Sequence, residues 1–245
     1  MIQLKVGVCQ ILVTENKEEN LLSARSAVKK ASENGATFVV LPECFNCPYG
    51  TQYFCDYAET IDMSTPGKSI SALSAMAKEA SKLILVVESK FGFLGSIPEV
   101  EESTGKYYNT CTVWNTSGEL VAVHRKVHLY DVDVPNKAKF KESDVLSPGN
   151  KLTTFETRKF PEMAMIAARQ GCVAMIYPGA FNTRTYPLHW EMLLRASPAQ
   201  NLSATYDAWG HSMIVGPDGT VVCRSEFEET TVYAEIGKFS KQFRL

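Results

Sequence analysis

The chain lacks any run of the roughly 18 apolar residues that a membrane-spanning helix needs, so no helical membrane anchor is expected. It also lacks a basic leader and a small-residue cleavage site. Residues 1–8 instead alternate apolar and polar as a strand does, and a strand rather than a secretory signal is expected there. An excess of either charge is absent too: the formal net charge is -2, which gives no footprint for nucleic acid or an anionic membrane surface. The short lysine cluster at 137–141 reads as a solvated loop face. The seven cysteines fit no disulfide framework, being odd in number and irregular in spacing. Reduced thiols in the cytosol are the expectation, with the mitochondrial matrix as the alternative. No repeat, low-complexity tract or linker interrupts residues 1–245, so a single domain is expected.

What is present is ordinary globular composition, 45% hydrophobic and 21% charged, enough apolar material for a substantial core. Strand and helix patterns alternate. Residues 20–34 carry Leu21, Leu22, Ala24, Ala27, Val28 and Ala31 at helical spacing, and Gly35 supplies a helix stop. The apolar run 37–41 reads as a buried strand, 69–81 as a second amphipathic helix, and 83–87 as another strand. Strands at 107–114 and 120–123 flank the turn signal Asn115-Thr116-Ser117-Gly118, and 213–215 and 220–222 flank Pro217-Asp218-Gly219 in the same way. Hairpins inside an α/β alternation predict a mixed sheet, or two stacked sheets with outer helices. Between residues 130 and 213 the only convincing interior strand is 173–177. Two joints there are abrupt: Phe160-Pro161, where a strand at 153–157 meets a helix at 163–168, and Ala196-Ser197.

Two charged residues stand where apolar strands end. Val39-Val40-Leu41 runs into Pro42-Glu43, and Leu120-Val121-Ala122-Val123 runs into His124-Arg125-Lys126. Catalytic groups collect at the carboxyl ends of such strands. A carboxylate and an ammonium held close in a dry site suit a general base and an oxyanion stabiliser. A nucleophile to complete the set is not evident. Cys44 follows Glu43 directly and, in a strand, faces the other way. Cys111 is mid-strand, and Cys172 opens a strand at its far end; Cys9, Cys55 and Cys223 have no base nearby in sequence. Cys44 and Cys47 with His124 and His128 could mimic a zinc site, but a lone CxxC is a weak signal and no metal is assigned. His211 reads as a structural, hydrogen-bonded histidine, and Trp190 and Trp209 as core or dimer-contact aromatics.

The segments Leu41-Pro42-Glu43-Cys44-Phe45-Asn46-Cys47-Pro48-Tyr49-Gly50, Gly95-Ser96-Ile97-Pro98-Glu99, Tyr108-Asn109-Thr110, His124-Arg125-Lys126-Val127-His128-Leu129, Phe140-Lys141-Glu142-Ser143, Tyr177-Pro178-Gly179-Ala180-Phe181-Asn182 and Trp209-Gly210-His211-Ser212 occur in one order along the chain. In these the chain resembles the nitrilase superfamily of carbon–nitrogen hydrolases, and within it the omega-amidase branch. The resemblance implies an αββα sandwich that pairs into a homodimer, and a cofactor-free reaction. The implied substrate is the terminal amide of a 2-oxo dicarboxylic acid monoamide such as 2-oxoglutaramate. It implies Glu43 as general base, Lys126 as the cation on the tetrahedral intermediate, and Glu142 as a supporting carboxylate. The family's nucleophile lies in a Gly-x-Cys-Tyr-Asp-x-Arg-Phe segment that this chain does not contain. Phe160 meets Pro161-Glu162 directly, and a further interior strand is missing near Ser197. Each gap amounts to about a dozen residues, one strand plus a turn. Arg184 and Tyr186 also stand where the family favours small residues. Two readings follow: an omega-amidase impaired or silenced by loss of its thiol, or a non-catalytic shortened relative that keeps interaction surfaces.

Overall fold

The computed structural model describes residues 4–81, 92–134, 138–151, 202–203, 210–216 and 220–236. The chain opens with β1 (Leu4–Gln10) and the short β2 (Leu12–Val13). Helix α1 (Lys17–Glu33) follows, starting three residues before the predicted 20–34. Its first turn, Lys17-Glu18-Glu19, has no apolar periodicity; the start is set instead by Asn16, whose side chain accepts from the Glu18 and Glu19 amides. At its other end the Ala36 amide reaches back to the Ala31 carbonyl at 3.0 Å, with Gly35 at φ +77°, the left-handed closure that glycine permits.

Next come β3 (Phe38–Val40), α2 (Thr51–Tyr57), α3 (Lys68–Ser81), β4 (Gly92–Glu101), β5 (Lys106–Asn115) and β6 (Leu120–Arg125). Sequence reading gave no strand at 92–101, because Gly92, Gly95 and Pro98 break its pattern. Pro98 is tolerated because its carbonyl, and so its nitrogen, faces Glu59, on the side where β3 has already ended. The cluster 137–141, expected as a loop face, is in its described part a strand. β7 (Asp131–Val134) and β8 (Ala138–Lys141) form an antiparallel pair in which Phe140 is half-buried. A 3₁₀ turn at Glu142–Asp144 follows, then β9 (Leu202–Ser203), β10 (Met213–Val215), β11 (Val221–Arg224) and β12 (Thr230–Ile236).

Six of these strands form one mixed sheet in the order β12-β1-β3-β4-β5-β6. β1 pairs in parallel with β3 and antiparallel with β12, so the first and last described strands lie side by side at one edge of the sheet. One face packs on α1 and α3: Val39, Leu41, Ile97 and Trp114 meet Leu21, Ala24, Val28, Leu73 and Met76. The opposite face carries Val6, Val8, Phe38, Val40 and Val113, packed with Ile214 and Val232. Alternation along each strand divides the two cores. Helices on one face and a second apolar layer on the other give the α/β layering expected for half of a sandwich. The predicted strands at 83–87, 153–157 and 173–177, the helix at 163–168, the joints at Phe160-Pro161 and Ala196-Ser197, and Cys172, Arg184, Tyr186, Trp190 and Trp209 lie outside the described residues. Among the described residues no helix is long and apolar enough to cross a membrane.

Candidate active site

Three charged side chains from separate elements meet at one end of the main sheet. β3 stops at Val40, and a turn pinned to β4 carries Glu43 inward: the Cys44 amide donates to Ser96 Oγ at 2.9 Å and the Phe45 amide to the Ser96 carbonyl at 3.2 Å. Lys126 follows β6, its own amide donating to the Asn109 carbonyl at 2.8 Å. Glu142 opens the 3₁₀ turn after β8, its amide donating to the Tyr130 carbonyl at 3.1 Å.

The Lys126 ammonium lies 2.9 Å from Glu43 Oε1 and 3.0 Å from each Glu142 oxygen, and it donates to Tyr49 Oη at 3.3 Å. The side chains of Glu43 and Glu142 are 4% and 0% exposed, so neither carboxylate leans on water, while a quarter of Lys126 remains accessible. Glu43 Oε1 also accepts from Asn109 Nδ2 at 2.7 Å. Glu142 accepts from the Tyr49 hydroxyl and, at 2.6 Å, from the Tyr130 amide. Burial alone would lower the Lys126 pKa, but the charges of Glu43 and Glu142 outweigh it and hold the ammonium well above its ordinary range. Tyr49 moves up as well, through burial first and then the same two carboxylates.

Sequence reasoning singled out Glu43, Lys126 and Glu142, and the fold brings all three together. It missed the parts played by Tyr49 and Asn109. Both sat within motifs with no role assigned, and Tyr49 meets Glu142 across 93 residues of chain, a contact no local pattern encodes. Tyr49 is fixed by its ring, stacked 6.1 Å from Phe140 and edge-on 5.5 Å from Phe54.

The cysteines behave differently from the site's oxygens. The Lys126 ammonium donates to Glu43, Glu142 and Tyr49, all oxygen acceptors. Cys44 is not in a strand, as expected above, but in a turn at φ 49°, so the opposite-face argument does not apply. It is buried with Cys47, Tyr49, Phe54 and Leu146. Burial, then Cys47, then the nearby carboxylates push its thiol well above the usual range. Burial, and secondarily Glu43, pushes Cys111 up to about 12, and burial pushes Cys9 to about 12. Cys55 is exposed. Cys44, Cys47, His124 and His128 do not converge: among the described residues no group of three His, Cys, Asp or Glu side chains is placed to hold a metal ion. His211 stands with its Nδ1 3.5 Å from Glu226 Oε2 and its ring against Phe227, away from Glu43 and Lys126 in its contacts.

A buried carboxylate that can take a proton, beside an ammonium that can face developing negative charge, at the strand ends of a layered α/β sheet, defines a class of acid–base sites suited to acyl-group chemistry. The chain belongs to the carbon–nitrogen hydrolase family, whose model matches residues 5–239. A Schizosaccharomyces pombe protein described as a hydrolase is 46% identical over 256 aligned positions, covering 95% of this chain and 76% of that protein. The Mus musculus omega-amidase Nit2 is 44% identical over 260 positions, covering 96% of this chain and 89% of the relative. That alignment is longer than the 245 residues of this chain, so some aligned positions of the relative have no counterpart here. Among solved structures, Nit3 of Saccharomyces cerevisiae, a member of the nitrilase superfamily, superposes with a TM-score of 0.82 at 36% identity, covering 96% of this chain and 90% of that one. An amidase of Nesterenkonia matches with a TM-score of 0.74 at 19% identity, a likeness of fold. The nitrilase-superfamily fold and the place beside the omega-amidases agree with the resemblance drawn from the sequence.

Proposed function

We propose that this chain carries an omega-amidase-type site directed at the terminal amide of 2-oxo dicarboxylic acid monoamides, 2-oxoglutaramate and 2-oxosuccinamate, and that it lacks the thiol to use it. The observation that carries the reading is the Lys126 ammonium bridging Glu43 and Glu142 in a buried setting. Glu43 is the general base, Lys126 the cation that faces the oxyanion, and Glu142 the carboxylate that orients Lys126. In the complete reaction a thiol gives its proton to Glu43 and its sulfur adds to the amide carbonyl. Ammonia leaves with that proton, and water then cleaves the thioester to the oxo-dicarboxylate. The first step needs sulfur within reach of both Glu43 and Lys126.

Three observations support the missing nucleophile. The run Lys159-Phe160-Pro161-Glu162 leaves no room for a Cys-Tyr-Asp segment. The relatives' alignments outrun the chain's own length. The thiols of buried Cys44 and half-buried Cys111 are pushed up by desolvation and by the carboxylate that would have to activate them, Glu43, joined at Cys44 by Cys47 and Glu142. Loss of the nucleophile from a cooperating set removes most of the acceleration, about 10⁴- to 10⁶-fold. The chain is accordingly an impaired or silent omega-amidase, a single domain over 1–245 that pairs with a second copy, in the cytosol or mitochondrial matrix. Inserting a Gly-x-Cys-Tyr-Asp-x-Arg segment ahead of Phe160 tests the assignment. Ammonia release from 2-oxoglutaramate is expected to rise in the folded insertion variant and to vanish again with Glu43→Gln or Lys126→Ala. Turnover that ignores both substitutions would remove Glu43 and Lys126 from their roles.

A further inference from the structure

Beside Lys126, one residue back along the strand, lies a second charged cluster that amide hydrolysis does not call on. Arg125 Nε donates to Glu99 Oε2 at 2.9 Å and its Nη2 to Glu99 Oε1, a two-pronged grip on one carboxylate. Its Nη1 lies 2.8 Å from Glu101 Oε1, and the guanidinium carbon sits 3.8 Å from the centre of the Tyr108 ring. Glu99 is buried, and Thr110 Oγ1 donates to the same Oε2. A planar fork stacked on a ring and locked on a buried carboxylate has little freedom left.

The backbone next to this grip is held as well. The Lys126 amide donates to the Asn109 carbonyl and the Lys126 carbonyl accepts from the Gly149 amide, each at 2.8 Å. The segment that supplies Gly149 is tied to β5 by the Ser147 amide on the Tyr107 carbonyl at 2.7 Å. A methyl group on Gly149 would stand 2.3 Å from the Arg125 carbonyl oxygen, so this close seating requires glycine.

We infer that Arg125 is a positioning residue: its fork on Glu99, its stack on Tyr108 and the seat of Gly149 on its carbonyl fix the end of β6 so that the Lys126 ammonium falls between Glu43 and Glu142. Lys126 is the first residue past β6, so the backbone anchored at Arg125 and held by the Asn109 and Gly149 hydrogen bonds sets the direction in which the Lys126 side chain leaves it. The Lys126 stem is flexible, and its contacts at 2.9 and 3.0 Å fail with a displacement of about 1 Å. The inference rests on the amidase reading for its purpose, but its test follows the ammonium itself rather than ammonia release, so the two can fail separately.

The experiment is competitive acetylation of the full-length chain at pH 8, with each lysine's rate read by peptide mass spectrometry. Lys17 is the internal control, being 22% exposed against 25% for Lys126 and likewise paired with a buried carboxylate, Glu59. Arg125→Lys keeps the charge but loses the fork; Gly149→Ala leaves the Arg125 side chain intact and pushes on its carbonyl. Both are expected to speed acetylation of Lys126 about tenfold, the equivalent of one pKa unit, with Lys17 unchanged. An unchanged Lys126 rate in the folded variants overturns the inference, and so does an equal rise at Lys17, which would mark general loosening. Should Gly149→Ala not fold, Arg125→Lys decides alone, with the same two readings.

Discussion

At the scale of single residues, Lys126 holds apart two buried carboxylates that have little water to turn to. Replacing it by methionine keeps much of the stem and leaves Glu43 and Glu142 facing each other without a cation. The expected cost is about 3–5 kcal/mol of folding stability at neutral pH, measured by urea unfolding. The pH dependence has a definite sign. The folded pKa of Lys126 is raised above its ordinary 10.5, so its contribution is fully present below about that pH and is lost as pH rises through the higher folded value. The difference between the native chain and Lys126→Met is therefore constant from pH 7 to 9 and shrinks only under strongly alkaline conditions. The thiols give a second residue-scale prediction. Cys55 is exposed, whereas Cys9, Cys44 and Cys111 are pushed up by burial. Iodoacetamide with peptide mapping should modify Cys55 in the native chain and spare the other three until urea is added. Rapid native labelling of Cys111 or Cys44 would mean an activated thiol beside the site and would contradict the account.

At the scale of elements, α1 and α3 depend on ends and faces that can be tested one at a time. Asn16 caps α1 by accepting from two amides, and Asn16→Ala should cost about 1 kcal/mol. Leu73 is fully buried where α3 meets the sheet, and Leu73→Ala should cost about 2–5 kcal/mol, the larger share coming from a cavity that packed neighbours cannot close. Denaturant midpoints for both, at unchanged m-value, check this. These two helices were legible because their apolar spacing is long and regular. Their boundaries were less so, since Asn16 acts through its side chain and not through any pattern. β4 was hidden by Gly95 and Pro98, which local propensity counts against a strand; a backbone that has outrun its β3 partner accommodates the proline. The short α2 has too few residues to show a period. Glu43 and Lys126 could be picked out as charges at strand ends, but Tyr49, which meets Lys126 and Glu142, could not, because only the assembled fold brings residues 49 and 142 together.

At the scale of the whole molecule, the two ends of the chain are joined by more than the β1–β12 ladder. Gln10, almost fully buried, accepts from the Ser212 amide and from the hydroxyls of Ser212 and Ser225. It also donates to the carbonyls of Glu226 and Glu228, each at 2.7 Å. Gln10→Leu would remove five hydrogen bonds at once, and a buried polar group that loses its partner costs about 1–3 kcal/mol. That single change should therefore loosen the β10–β11 hairpin from the sheet, seen as faster amide exchange at 211–226 with β4 and β5 unaffected. The family could be read from motifs spread along the chain, three of which carry Glu43, Lys126 and Glu142 just past β3, β6 and β8. The interior of the later half was less legible, since between residues 130 and 213 the sequence offers one convincing interior strand pattern, 173–177.

Glu43 and Lys126 stand together in the fold, and the proposed defect is the lack of the thiol they would serve. Ammonia release from 2-oxoglutaramate by the purified native chain, run beside its Lys126→Ala variant, tests this most directly. The two are expected to give the same background rate. Release at an ordinary enzymatic rate by the native chain, abolished by Lys126→Ala, would contradict it and show that one of the chain's own thiols completes the site.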